Sequence, residues 1–258
     1  MHYDIQKASL LKRVSAWLLD AILFCVLAVG CMWAVGDLLG FDAKNAELTA
    51  HYSRYEAQYE VSFNYEFEEA YQALSPEAKQ QYLARVYEAF LALQADEAAM
   101  QTYTMVVNLI LLMCSIGILL AKVLLEFAVP LLLRNGQTIG KKVFGLAVMR
   151  TNGVRINGIS LFIRSVLGKY TVETMLPVFL FIMINTGVLG ILGLAMLGIL
   201  GLAQLIMVFA TANHCLIHDK LADTVVVDMA SQMIFQSDED RQAYQLRISA
   251  EEAQKKAY

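Results

Sequence analysis

Charge is scarce in this chain. Only 17% of its 258 residues are Asp, Glu, Lys or Arg, and 58% are hydrophobic, giving a mean hydropathy of +0.50. Soluble domains carry nearer a quarter charged residues, so a soluble globular fold is disfavoured. The few basic residues do not cluster with aromatics on a polar face, which removes nucleic acid as a partner. Cysteine is scarce too. Cys25, Cys31, Cys114 and Cys215 all fall in or beside apolar runs, and no CxxC occurs. They read as buried apolar side chains, not as a disulfide framework or a metal set. Nucleophile elbow, zincin signature and dinucleotide fingerprint are all missing. Gly136-Gln137-Thr138-Ile139-Gly140-Lys141-Lys142 invites comparison with a phosphate-binding loop. It is one residue short, and Lys142 stands where Ser or Thr is required. No enzymatic activity, catalytic residue, cofactor or bound metal is therefore expected. His214 and His218 are four apart, with Asp219 and Asp223 following. On a helix they would share a face suited to a metal; capping and hydrogen bonding at a helix end is the favoured reading.

Long apolar runs are what the chain has. The first, from about Val14 to Gly36, is long enough to cross a bilayer. It reads as an uncleaved signal-anchor, because Asp20 interrupts the apolar core a signal peptide needs. Residues 37–103 change character and hold twelve acids against four bases. Tyr52, Tyr55, Tyr59, Phe63, Phe67 and Tyr71 recur every three or four residues, as on one helix face. Ser75-Pro76-Glu77 reads as a helix start, and Tyr82, Val86, Phe90 and Leu93 mark a second stripe. The region predicts a helical hairpin outside the membrane, packed on itself or presented to a partner.

A second span is expected over about Thr104–Leu133, carrying Asn108, Lys122 and Glu126. Residues 134–170 are basic and turn-rich. Val143–Val148 reads as a strand with Val154-Arg155-Ile156 as its return, and Gly158–Tyr170 as an amphipathic helix lying in the interface. From Val172 to Asn213 there is one charge, Glu173, in 42 residues. A single helix of that length would be about twice the bilayer core, so two spans turning near Asn185-Thr186-Gly187 are predicted. Gly190, Gly193 and Gly201 carry small-residue spacings that permit close helix contact. A short strand is expected at Thr224–Val227, then a polar tail.

The reading is an all-α membrane protein. It has four transmembrane helices, an extramembrane helical hairpin between the first two, and a small cytoplasmic β-like and interfacial-helix element. Its parts are 1–36, 37–103, 104–230 and a tail at 231–258. Lys and Arg number fifteen in segments 1–13, 134–171 and 214–258, and four in 37–103. By the positive-inside rule both termini face the cytoplasm.

A carboxylate inside a span costs about 2.5–3.5 kcal/mol on insertion scales, so Asp20 needs a partner. Arg13 lies two turns before it, on the same face. In an antiparallel pair of spans the helix ends place Asp20 level with Lys122, and Arg13 level with Glu126. Those two pairs are predicted, with Lys122–Glu126 pairing along one helix as the alternative. The charges serve either to lock the helices or as a cation- or proton-responsive site.

Three motifs in order resemble one family. They are Lys12-Arg13 through Asp20, Gly136-x-x-x-Gly140-Lys141 followed by Gly145-Leu146-x-Val148, and His218-Asp219-x-x-Ala222-Asp223-Thr224-x-Val226. Together they look like the RDD family of bacterial membrane proteins, over about 1–36 and 104–230. Arg13 and Asp20 match the family's arginine and first aspartate, and Asp219 the second. The long acidic hairpin departs from the family's usual pattern. The resemblance implies a multi-pass protein of the bacterial inner membrane that transports ions, with cation/proton exchange implied for some members. Its partners would be the lipid bilayer, a monovalent cation or proton, and further copies of itself or another membrane protein, since four spans are few for a solute pathway. The candidate charge site is Arg13, Asp20, Lys122, Glu126 and Asp219. The alternative is a non-transporting accessory protein that docks partners through the outer hairpin and the inner loop.

Overall fold

Four apolar helices dominate the fold in a computed structural model that describes residues 5, 6, 8–67, 69–133, 135–211 and 215–256. They are α1 (Leu10–Leu39), α4 (Glu97–Leu133), α6 (Gly158–Asn185) and α7 (Gly190–Ala210), and each has the length and mean hydropathy to cross a membrane. On α1, Ile22, Val26, Val29 and Trp33 form a stripe at helical spacing and are all more than 60% exposed. Water does not suit so long an apolar stripe, and a multi-pass membrane protein is the consistent account.

Two units divide the chain: residues 1–28 with 118–258, and residues 29–117. In the second unit, Gly40 adopts a left-handed backbone (φ 70°) and separates α1 from α2 (Phe41–Tyr59). Helix α3 (Pro76–Ala95) starts as the sequence predicts, with Ser75 Oγ accepting the Ala78 N–H at 3.3 Å. Tyr55, Leu93 and Ala99 form the core between α2, α3 and the start of α4, with Tyr52, Tyr59 and Phe63 against it. The aromatic stripe is therefore inward-facing over Tyr52–Phe63, although the Phe67 side chain lies outside the described residues. Asp96 closes this layer. It accepts from Arg54 at 2.5 Å and the Tyr55 hydroxyl at 3.1 Å, and from the Ala98 and Ala99 N–H groups at the start of α4.

Helices α1 and α4 run close together here. A Cβ on Gly117 would stand 2.5 Å from Met32 Cγ, and one on Gly36 would stand 2.5 Å from Met113 Cε. The four cysteines are free, and only Cys215 is buried; Cys25 is exposed on α1.

In the first unit, α5 (Ile139–Val143) leads into β1 (Leu146–Arg150), which pairs antiparallel with β2 (Thr224–Asp228) in the register Leu146↔Asp228 to Arg150↔Thr224. The expected return strand contributes one bridge, Met149↔Arg155. The main partner comes instead from the far end of the chain. Leu146, Val148 and Val226 pack with Ala16, Ile156 and Leu161, while Ala147, Met149, Val225 and Val227 pack with Ile5 and Ile234. Both faces are covered, which explains why these strands read as continuous apolar runs without alternation. Lys12 at the mouth of α1 donates to Asp228 at 2.5 Å and ties the ribbon to the helix.

Two expectations give way. Gly158–Tyr170 is not a separate interfacial helix but the foot of α6, which runs unbroken to Asn185. Residues 172–185 alone make about 21 Å of helix, short of a core about 30 Å thick, so the span needs the turns before it. The polar tail is also helical: α8 (Ile217–Leu221) precedes β2, and α9 (Asp238–Lys256) follows it, with Ser237 Oγ accepting the Asp240 N–H. The turn after α6 falls where predicted, with Gly187 at φ 75°. Of the small-residue spacings only Gly193 makes a tight contact, on Ile184, while Gly198 and Gly201 face open space.

Candidate functional site

Helix α6 is widened in the middle. Its hydrogen bonds over Ile163–Met175 reach five residues back, as they do over Val123–Ala128 in α4. In such turns residues four to five apart come to one face. Arg164, Lys169, Glu173 and Thr174 thereby line one cavity of about 460 Å³. Widened turns of this kind recur at functional sites.

Three clusters share that cavity. In the first, Arg164 Nη1 donates to Asp219 Oδ1 and, at 2.6 Å, to Thr224 Oγ1. Its Nη2 lies 3.2 Å from His218 Nε2. His218 Nδ1 is 2.8 Å from both oxygens of Glu173. A ring nitrogen facing a guanidinium accepts, so Nδ1 carries the proton and His218 is the neutral tautomer. Burial, the largest influence, holds the His218 pKa below its ordinary value, and Arg164 adds to that against Asp219 and Glu173. Asp219 is 1% exposed. Burial alone would raise its carboxyl, but Arg164, the Leu216 N–H at 3.0 Å and Arg13 hold it below the usual range. Arg13 Nη2 lies 3.8 Å from Asp219 Oδ2. Gly168 lets this cluster close, since a Cβ there would stand 2.5 Å from His218 Cβ.

The second cluster is Glu126 between two bases. Lys122 Nζ donates to it at 2.7 Å along α4, and Lys169 reaches its other oxygen from α6. In the third, Asp20 Oδ2 accepts from the Thr138 hydroxyl at 2.5 Å and Oδ1 from the Gly140 N–H at 2.7 Å. Thr138 also caps α5 by accepting the Lys141 N–H at 3.3 Å. Lys141 Nζ lies 3.2 Å from Thr138 Oγ1 and 3.9 Å from Asp20.

Both predicted interhelix pairs are thus replaced. Asp20 is answered by the Thr138–Lys141 loop, Arg13 by Asp219, and Lys122 by Glu126 along its own helix. Lys122 Nζ instead sits 4.4 Å from the centre of the Phe24 ring, one turn from Asp20. The contact of Lys122 with Phe24 shows a register that the helix ends do not reveal. The five singled-out residues, Arg13, Asp20, Lys122, Glu126 and Asp219, still face the same cavity. His214 of the proposed metal pair lies outside the described residues, and His218 is engaged with Glu173 and Arg164.

Sequence reasoning missed Arg164, Lys169 and Glu173 as site residues. The signal was Glu173, a lone charge in a long apolar stretch. Arg164 and Lys169 passed as the polar flank of an interfacial helix: an ordinary helical period brings Lys169 to the face of Glu173, four residues on, but sets Arg164, nine residues before it, on the opposite side.

Burial, with Lys169 and Arg164 nearby, pushes the Lys141 pKa from 10.5 down to about 7, against the pull of Asp20 and Glu126. A cation whose pKa falls on folding costs the folded state wherever the unfolded chain would hold its proton. Lys141 therefore makes stability rise with pH between about 7 and 10.5, by at most about 1.4 kcal/mol per pH unit. Chemical denaturation in detergent across that range should show a shallower rise in Lys141→Met than in the wild type. Equal slopes would show that Lys141 titrates at its ordinary value.

Comparison with known proteins matches the model of the RDD family over residues 7–223. No curated protein and no solved structure matches the chain.

Proposed function

The chain belongs to the RDD family, and from that membership we propose that it moves a small ion across the bacterial inner membrane, linked to a proton, through the charged cavity of its first unit. Both termini face the cytoplasm in this reading, and the working form is an oligomer. The protein is a transporter and not an enzyme. The observation that carries the proposal is one cavity, among helices built to cross a membrane, into which Arg13, Asp20 and Asp219 all project. A proton leaving Lys141 would strip Asp20 of its nearest base and make the cavity one charge more negative. Ion occupancy and protonation would then be linked, as exchange requires.

The test is proton movement in proteoliposomes under imposed ion gradients, beside empty vesicles. Arg13→Gln and Asp20→Asn should abolish ion-dependent proton flux while the protein still elutes as a folded species. Flux equal to that of empty vesicles in the wild type would overturn transport. The accessory-protein reading has its own support in the second unit, where Tyr52, Phe63, Tyr65, Tyr87, Phe90 and Tyr103 line a cavity of about 980 Å³. A stable co-purifying partner together with absent flux would favour it.

A further inference from the structure

The charge inventory of the first unit's cavity bears on the sign of its ligand. Among the described residues, five bases line it (Arg13, Lys122, Lys141, Arg164 and Lys169) against four acids (Asp20, Glu126, Glu173 and Asp219), with His218 neutral. Every acid is engaged at least twice. Asp219 accepts from Arg164 and the Leu216 N–H. Glu126 is held by Lys122 and Lys169. Glu173 accepts from the His218 ring and its backbone N–H, and Asp20 from Thr138 and Gly140. A cation entering here must displace an ammonium, a guanidinium or two good hydrogen bonds. An anion need displace nothing. Lys141 has three N–H donors, and one of them is matched at hydrogen-bond distance, by Thr138 Oγ1. Its side chain is 12% exposed, and Lys169 and Arg164 are close enough to repel it. An oxyanion among these three bases would relieve that repulsion.

We propose that this cavity binds a small oxyanion of the phosphate or sulfate type, with Lys141 as its principal ligand. The proposal deepens the reading of the cavity as an ion site but does not require movement across the membrane. The oxyanion has two sources. Leu10, Val14 and Trp17 line the same cavity and are 41%, 51% and 64% exposed, so one wall is apolar and opens outward. A phospholipid headgroup can therefore enter with its chains left outside, or a free anion can enter alone. Binding weakens as Lys141 loses its proton. The charged groups around Lys141 are Asp20 on α1, Glu126 on α4, Arg164 and Lys169 on α6, and Asp219 beside neutral His218 on α8.

The full chain in uncharged detergent supplies the test, with Trp33→Phe leaving Trp17 in the cavity wall as the sole tryptophan. Sulfate, short-chain phosphatidylglycerol and short-chain phosphatidylcholine are titrated at constant ionic strength. The pH is set about one unit either side of 7, where sulfate and phosphodiester charges do not change. Saturable quenching by sulfate assigns the site to a free anion, and by phosphatidylglycerol alone to a headgroup; either supports the proposal. Affinity should fall about tenfold at the higher pH and about tenfold in Lys141→Gln, as the loss of one charge-assisted hydrogen bond implies. Lys141→Arg should bind at both pH values, and the exposed neighbour Lys142→Gln should bind as the wild type does. The proposal fails if neither anion saturates, if Lys141→Gln binds unchanged, or if sodium saturates in their place. Because binding is read at equilibrium, a protein that binds the anion but shows no flux refutes transport alone.

Discussion

Arg164→Met should lower the unfolding free energy by about 3–5 kcal/mol, the cost of removing one partner from a buried ion pair. Arg164 is 4% exposed and serves Asp219, Thr224 and His218 at once. Methionine fills similar volume but leaves the buried Asp219 carboxylate with the Leu216 N–H at 3.0 Å and Arg13 at 3.8 Å, and, among the described residues, with no cation at hydrogen-bond distance. Arg164→Lys should fall between, since an ammonium keeps the charge and loses the fork whose two nitrogens reach all three acceptors. Thr224→Val should cost less than Arg164→Met, about 1.5–3 kcal/mol, the worth of one hydrogen bond to a charged group. Denaturant titration of the four proteins in one detergent ranks them. A loss below about 1 kcal/mol for Arg164→Met would show that water already reaches the pair.

Gly140→Ala has the second large effect, for a steric reason. A Cβ at residue 140 would stand 2.2 Å from the Ala16 carbonyl oxygen and 2.9 Å from Asp20 Cγ. The first of these is backbone of α1 and cannot swing aside. The α5 loop must retreat, and with it go the Gly140 N–H and Thr138 hydroxyl that hold Asp20. Overpacking costs about 1–3 kcal/mol, and a lost hydrogen bond to a charged group about 1.5–3 kcal/mol. A combined loss of about 3–5 kcal/mol is expected, together with faster amide exchange at residue 140. Gly198→Ala is the matched control. Nothing lies within 4 Å of its added Cβ, so alanine there should be neutral or gain up to about 1 kcal/mol of helix propensity. Equal stability of the two variants would mean that the loop does not pack on α1.

Much of the architecture was legible because its signals are local. An apolar run of bilayer length reads as a span wherever it occurs, and α1, α4, α6 and α7 each coincide with a predicted run over most of its length, α6 starting earlier, at Gly158. Ser75-Pro76 announces a helix start through its own hydrogen bond, and Asn185-Thr186-Gly187 a turn through its own backbone. The pairing of β1 was less legible. Val154–Ile156 is the nearest apolar return, and only long-range packing selects Thr224–Asp228. The site residues divide the same way. Arg13, Asp20, Lys122 and Glu126 were conspicuous as charges within apolar runs, and Asp219 through the motif match. Arg164 and Lys169 sat among other polar residues and looked ordinary.

Composition and order were sufficient to dictate the number of crossings, the acidic hairpin between the first two, and the need to satisfy charges kept from water. Those follow from free energies summed over many residues, which no single contact can reverse. Which base meets which acid was decided only by the folded chain. A charge pair is made or lost over a few ångströms, and one residue of register turns a helix by nearly a third of a revolution. Glycines at 117, 140 and 168 set how closely the elements approach, and widened turns in α4 and α6 set which side chains look inward. Asp20 therefore meets a threonine, a peptide N–H and Lys141, not the lysine its depth suggested.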